Sequence, residues 1–417
     1  MIYQVELPAL TLKRLTDVVY LQMRLLRYAA SRETLSRQTC ERYLQGYKRF
    51  RGRHKQIADW LWRGSKRRKL LEDFAQGSRL EKLEWSRCLF REALAFLTNP
   101  VGSLTPYRKK AAPDWQQAGA DFLRQFYEYL GQEQELPDYF FSERGATQFN
   151  KNNLKSNFFE NTTNKKLQVC PACDFSPFSS SCTQVDHYLP ISLYPHLSCH
   201  PFNLVPTCSD CNSLRVKKNH DVLQRNSGNR RQLEDIFLIY KDCGLGDLTY
   251  LKLELEKGYR SISLMELKPR KGQNLRDCID AYCDAYQIPD RWLEIVKTIE
   301  NQLFSQIKQS MKAARRYSQS LNIFDVDREL TELLQSLCEE QGRTPFAFAM
   351  SWWLATLIER ELKPAISSSQ PIEVKNFPLL EEIADWIRQD NIQHPAYTQE
   401  PHLKQARNLR KIVAEEG

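Results

Sequence analysis

A chain of 417 residues that is 41% hydrophobic, 11% aromatic and 27% charged has the composition of a folded protein, which excludes an intrinsically disordered chain, and it is long enough for two or three units. The net charge of +9 is uneven: Met1 to Leu70 holds 17 Lys+Arg against 5 Asp+Glu, so the remainder sums to −3. That asymmetry points to a polyanionic partner for the N-terminal part, nucleic acid ahead of an anionic membrane surface. The opening MIYQVELPALTLKRL lacks the features of a secretory signal, and a cytoplasmic protein is expected. The longest apolar run, 345–358, is too short to cross a bilayer and predicts a buried helix without membrane insertion.

From Leu12 onward, Leu15, Val19 and Leu26 fall at helical intervals, with Lys13, Arg14, Arg24 and Arg27 on the other face, which predicts a basic amphipathic helix. Two basic runs follow among aromatic residues. Lys48, Arg49, Arg51, Arg53 and Lys55 form the first, and Lys66, Arg67, Arg68 and Lys69 the second. Both suit a phosphate-facing surface; a solvated helical face is the alternative. Helical patterning runs from Leu80 to Leu97 and again from Trp115 to Leu130, separated by a breaker-rich loop, and 151–166 reads as a polar, Asn-rich connection.

Past a cysteine-rich window, Leu251, Leu253 and Leu255 alternate with charged residues. Lys257-Gly258 turns the chain, and Ile262 and Leu264 alternate again, which predicts one β-hairpin. Trp292, Val296, Ile299, Leu303 and Ile307 trace one long helix, and Leu330, Leu333, Leu334 and Leu337 another. The chain therefore divides into a basic helical region, 1–150, the cysteine-rich segment, 151–225, and a hairpin followed by helices, 226–417. The absence of a Walker loop and of a dinucleotide-binding glycine pattern leaves ATP-driven and redox chemistry without support.

Six of the twelve cysteines lie between Cys170 and Cys211, and four of the seven histidines between His187 and His220. Cys170-Pro-Ala-Cys173 and Cys208-Ser-Asp-Cys211 have the two-residue gap that lets a tight turn aim two thiolates at one ion, so the four together suit a structural Zn2+ site closed to water. Cys182 and Cys199 fall outside that spacing and read as small buried residues. His196, His200 and His220 read as loop or hydrogen-bonding residues.

Between the pairs lie Asp186-His187 with Pro190 three residues on, Asn203-Leu-Val-Pro206, and Cys208-x-x-Cys211-Asn212. Over residues 170–221 this segment resembles the HNH (His-Asn-His) endonucleases, the ββα-metal family. The resemblance implies a mainly α chain with a small central ββα-metal module braced by the four-cysteine zinc site. It implies His187 as general base, Asp186 and Asn212 as ligands of a catalytic Mg2+ or Mn2+, and Asn203 as the residue fixing the hairpin and the base. Asn212 replaces the family's final His. A helix after Asn212 is expected to offer Arg215, Lys217 and Lys218 to the flanking phosphates.

Elementary chemistry agrees with these roles, because phosphodiester hydrolysis needs a base for water and positive charge at the leaving oxygen. Consecutive side chains on a strand face opposite sides, so the strand is expected to end or bend at Asp186-His187. Taken singly, Asn203 could be a turn residue and Asn212 a helix cap. The expected activity is metal-dependent cleavage of DNA, nicking or double-stranded. The expected setting is anti-phage defence, with regulatory proteins encoded in the same operon. The alternatives are a non-catalytic zinc-containing module that binds nucleic acid or protein, and an RNA-directed nuclease of the same mechanism.

Overall fold

The computed structural model describes residues 2–98, 101–131, 135–143, 145–213, 215–217, 220–225, 227–240, 244–256, 262–271, 275–317, 322–367, 379–380, 382–383 and 404–416. The fold is mainly helical, with two separate two-stranded antiparallel sheets. The chain forms two compact units: Gln4–Lys165 with Phe178–Asp242, and Met1–Tyr3 with Lys166–Pro177 and Cys243–Gly417.

In the first of these units, α1 (Ala9–Ala30) runs through the core against α2 (Arg37–Gln45), α4 (Ser65–Ala75), α5 (Arg79–Thr98) and α6 (Asp114–Tyr129), with α3 (His54–Arg63) packed on α2 and α4. The predicted basic amphipathic helix is present with a narrower polar face: beyond the first turn, Lys13, Thr16, Tyr20, Arg24 and Arg27 form the one stripe of α1 that is not buried, whereas Arg14, predicted beside them, is buried along with Asp17 and Gln22. Its polar groups find partners inside the protein. Arg14 pairs with Glu143, Asp17 with Arg49, and the Arg24 guanidinium lies 4.3 Å from the centre of the Tyr47 ring. Trp60 of α3 meets Phe126, Tyr129 and Phe140. Gly119 of α6 lets Phe74 and Trp85 close in, since a Cβ there would lie 2.7 Å from each ring.

Residues 151–166, expected as a connection, contain the helix α7 (Lys151–Glu160). Asn150 caps it, accepting from the N–H groups of Asn152 and Asn153 while Asn153 reciprocates to the Asn150 N–H. Leu154 and Phe158 bury one stripe. The asparagines that suggested a loop are thus a capping box. β1 (Thr183–His187) and β2 (Leu204–Cys208) then pair in regular antiparallel register, Asp186 opposite Val205 and His187 opposite Leu204.

In the other unit the alternating leucines form the expected hairpin, β3 (Thr249–Leu255) with β4 (Ile262–Pro269); the turn at Lys257-Gly258 lies outside the described residues. Helices Val296–Tyr317 and Ile323–Glu339 correspond to the two predicted amphipathic helices, except that Trp292, predicted in the first, lies in a separate helix, Ile288–Glu294, with Ile295 as its C-cap. Ala347–Leu357 is buried throughout its length, as the apolar run predicted. Among the described residues, no helix is long and apolar enough to cross a membrane.

Gly119→Val forces two methyl groups toward the Phe74 and Trp85 rings and should destabilise the protein by roughly 1–3 kcal/mol. Urea unfolding measures this, and an unchanged midpoint would show that the contact is not tight.

Candidate functional site

The two cysteine pairs sit on two backbone turns. In the first, the Cys173 and Asp174 N–H groups donate to the Cys170 carbonyl, and Cys170 N–H donates to the Ser176 carbonyl. Tyr282 Oη donates to the Ala172 carbonyl and Trp292 Nε1 to that of Cys173. Asp174 follows with a left-handed φ of 64°, and its carboxylate accepts from Tyr3 Oη and the Phe348 N–H. In the second turn, at the end of β2, Cys211 N–H points at Cys208 Sγ (3.4 Å) and Asn212 N–H donates to the Cys208 carbonyl. The sulfurs of Cys170, Cys173, Cys208 and Cys211 are all buried and lie within 4.8 Å of one another. Four thiols at this spacing can hold a metal ion such as zinc.

The loop joining β1 to β2 is closed by Asn203, which is fully buried. Its Oδ1 accepts from Leu189 N–H (2.7 Å), and its Nδ2 donates to the carbonyls of Leu189 (3.0 Å) and Leu197 (3.1 Å). The clamped loop places the Ser198 carbonyl 2.9 Å from His187 Nε2. A carbonyl oxygen only accepts, so Nε2 carries the hydrogen and Nδ1 is left with the basic lone pair. Burial, with the ammonium groups of Lys217 and Lys151 nearby, lowers the imidazole pKa to about 3, so the ring is neutral at ordinary pH. Tyr127 packs edge-on against it, ring centres 4.2 Å apart.

β1 ends at His187, but it does not bend at the Asp186-His187 pair as expected: regular pairing runs through both residues and sets Gln184 and Asp186 on one face and Val185 and His187 on the other. Asp186 is 5% exposed. One oxygen accepts from His187 N–H (2.6 Å), and the other binds Lys217 Nζ, which also donates to the His187 carbonyl. Burial pushes the Asp186 carboxyl up and the Lys217 ammonium down, and their attraction opposes both shifts.

Lys217, expected on an exposed helix with the phosphates, is 7% exposed and turned into the hairpin. The helix expected after Asn212 is likewise corrected: the described residues there form turns. Lys217 draws the segment inward, and Asp221, which accepts from Tyr194 Oη and Arg230, holds its far end. Asn212 is half-buried and donates to Gln184 Oε1 (2.7 Å), a residue on the same strand face as Asp186. The oxygens of Asp186 and the His187 main chain thus converge on one cation position, which the Lys217 ammonium fills.

Arg215 is exposed, and Lys218 lies outside the described residues. Of the two N-terminal basic runs, Arg53 donates to the Tyr139 carbonyl, and Arg67 donates to Trp60 O and Tyr129 Oη while stacking on the Trp60 ring. Arg49, Lys66 and Arg68 pair with Asp17, Glu128 and Glu72. Lys48, Arg51, Lys55 and Lys69 are exposed.

Cys199 is buried as expected, whereas Cys182 is exposed. His200 lies in the core, its ring bonded to the Ala93 carbonyl and the Phe202 N–H. His196 is fully buried, with Nε2 3.3 Å from Glu92 Oε2. Two residues beside His187 escaped the sequence reading. Tyr127 Oη donates to the Val185 carbonyl, and Lys151 Nζ lies 3.8 Å from the centre of the Tyr127 ring. Neither belongs to a motif, and only the fold brings them to β1.

No family model and no solved structure matches the chain. A stretch of 62 residues is 36% identical to a protein of Escherichia phage lambda described as "Protein ea31", covering 15% of this chain and 20% of that one. The chain thus spans about a fifth of the length of the phage protein that it matches.

The purified protein should carry one zinc per chain by elemental analysis, and Cys208→Ser should lose it together with much of the thermal stability. Metal-free protein with an unchanged Tm would overturn the assignment.

Burial lowers the His196 pKa from 6.5 to about 3, so the unfolded chain binds a proton that the native state refuses between those values. Its contribution to stability is complete above pH 6.5 and is lost as the pH falls toward 3. The buried Glu92 carboxyl, whose pKa is raised, works in the opposite sense, so the comparison of wild type with His196→Phe isolates the imidazole. The variant's Tm should fall less between about pH 7 and about pH 4.5, across the ordinary histidine pKa; parallel curves would contradict the assignment.

Proposed function

We propose that the β1–β2 hairpin is the catalytic site of an HNH-type endonuclease that hydrolyses phosphodiester bonds in DNA with a divalent metal ion. The observation that carries this reading is the neutral His187, whose ring is fixed through Nε2 by the Ser198 carbonyl of a loop clamped by Asn203. The Asp186 carboxylate, on the opposite face of β1, and the His187 main-chain carbonyl converge on a cation. His187 Nδ1 takes the proton from the attacking water, and the Nε2 bond keeps the basic tautomer in place. Asp186 and Asn212 are the residues that would hold magnesium or manganese, which when bound supplies positive charge to the phosphate and the departing oxygen. The cysteine-bound zinc braces the fold and takes no part in the chemistry. Anti-phage defence, with regulators encoded beside the gene, is the setting we propose for such an activity within a large helical chain.

The Lys217–Asp186 pair favours a second reading, in which the ammonium permanently replaces the metal and the hairpin is a zinc-braced binding module without catalysis. Nicking of supercoiled plasmid separates the two. With magnesium or manganese the wild type should cut, and His187→Ala should be slower by at least roughly a hundredfold. Equal rates would remove His187 as the base, and DNA binding without cutting by the wild type would favour the second reading. Matched RNA and DNA strands decide the substrate.

A further inference from the structure

A cavity of about 410 Å³ opens beside β1, walled by the start of α7, by Gln184 and by Asn212. Its lining carries two ammonium groups, Lys151 and Lys155, and among the described residues no carboxylate. The rest of its polar wall consists of neutral amides and hydroxyls, those of Asn152, Gln184 and Asn212 among them. Such a wall attracts an anion and offers it donors, with no like charge to repel it.

The lysines are held where they are by the fold. Lys151 is the first residue of α7, and Lys155 follows one turn later on the same face. The Lys151 ammonium rests 3.8 Å from the centre of the Tyr127 ring, and that ring is itself fixed by the bond from its hydroxyl to the Val185 carbonyl. The N–H groups of Asn152 and Asn153 are already bonded to Asn150, so the side chains, rather than the helix end, face the cavity as donors. The volume falls within the ~300–1,000 Å³ of small-ligand sites and suits one nucleotide unit, not a duplex. Through Gln184 and Asn212 the cavity adjoins the strand face that carries Asp186.

We propose that this cavity binds the phosphodiester backbone of a single nucleic-acid strand next to the bond addressed by the hairpin, with Lys151 and Lys155 as its phosphate ligands. The choice of bond rests on the nuclease reading; the binding does not.

The test is fluorescence anisotropy of a labelled single-stranded oligonucleotide with the full-length protein, without added magnesium, over a series of salt concentrations. Lys151→Gln/Lys155→Gln should weaken binding on the order of tenfold at low salt and lower the slope of log affinity against log salt by roughly 1.4, the share of two phosphate contacts on a single strand. Lys308→Gln/Lys312→Gln, at exposed positions of the helix Val296–Tyr317, removes the same charge and should leave affinity and slope unchanged. Lys151→Arg keeps the charge and should restore most of what Lys151→Gln loses. Lys155→Gln alone, at a half-exposed position, gives a variant whose folding is not in question. A double variant that binds with wild-type affinity and slope would overturn the proposal, as would a wild type that binds no oligonucleotide. Competition by inorganic phosphate as effective as that by a mononucleotide would overturn the strand assignment in favour of a free-phosphate site. Binding lost in the double variant while the wild type fails to cut would sink the nuclease reading and leave this one standing; cutting with unchanged binding would do the reverse.

Discussion

One buried amide organises the hairpin. Asn203 satisfies the N–H and carbonyl of Leu189 and the carbonyl of Leu197, three main-chain groups that its removal would leave without this partner inside the protein. Each such group left unmet costs on the order of 1–3 kcal/mol, so the loop has little freedom to take another path. Its path in turn sets where the Ser198 carbonyl lies and therefore which nitrogen of His187 carries the hydrogen. A buried amide thus determines which nitrogen of a neighbouring imidazole carries the hydrogen.

The parts of this arrangement legible in the sequence are those defined by short spacings. The two Cys-x-x-Cys pairs show in their spacing, whereas the β1–β2 hairpin and the place of Asn203 at its closure come only from the resemblance to the HNH family, since Asn203 taken singly reads as a turn residue. The later β3–β4 hairpin was as plain as the cysteine pairs, because alternation of apolar residues is a two-residue signal. Lys217 was not legible. A lysine at the edge of a motif reads as surface charge, and only the fold reveals that its ammonium meets Asp186. α7 was hidden for a related reason, since asparagine is frequent in loops and in helix caps alike, and the difference lies in whether Leu154 and Phe158 find a core.

The N-terminal surplus of positive charge shows how composition and surface diverge. Arg14 and Arg49 are neutralised by Glu143 and Asp17, while Arg53 and Arg67 tie loops and helix ends together through main-chain carbonyls. Arginine suits that task because its planar fork spreads several donors around one charge. The basicity on offer to an outside polyanion is therefore narrower than the count suggests and rests on exposed groups such as Lys48, Arg51, Lys55 and Lys69.

The same logic of buried charge governs the hairpin. Asp186 and Lys217 are both almost wholly covered, and removing one partner of such a pair typically costs about 3–5 kcal/mol because the other is left uncompensated. An ammonium and a divalent ion cannot share the same carboxylate oxygen. Any metal that reaches Asp186 must therefore supply enough binding energy to release Lys217, and the released ammonium needs a new anionic partner. On the proposed nuclease reading a phosphate of the bound strand would be such a partner, and substrate and metal would then favour each other's binding. Bare metal, offering Lys217 nothing in exchange, is opposed by the whole strength of the buried pair.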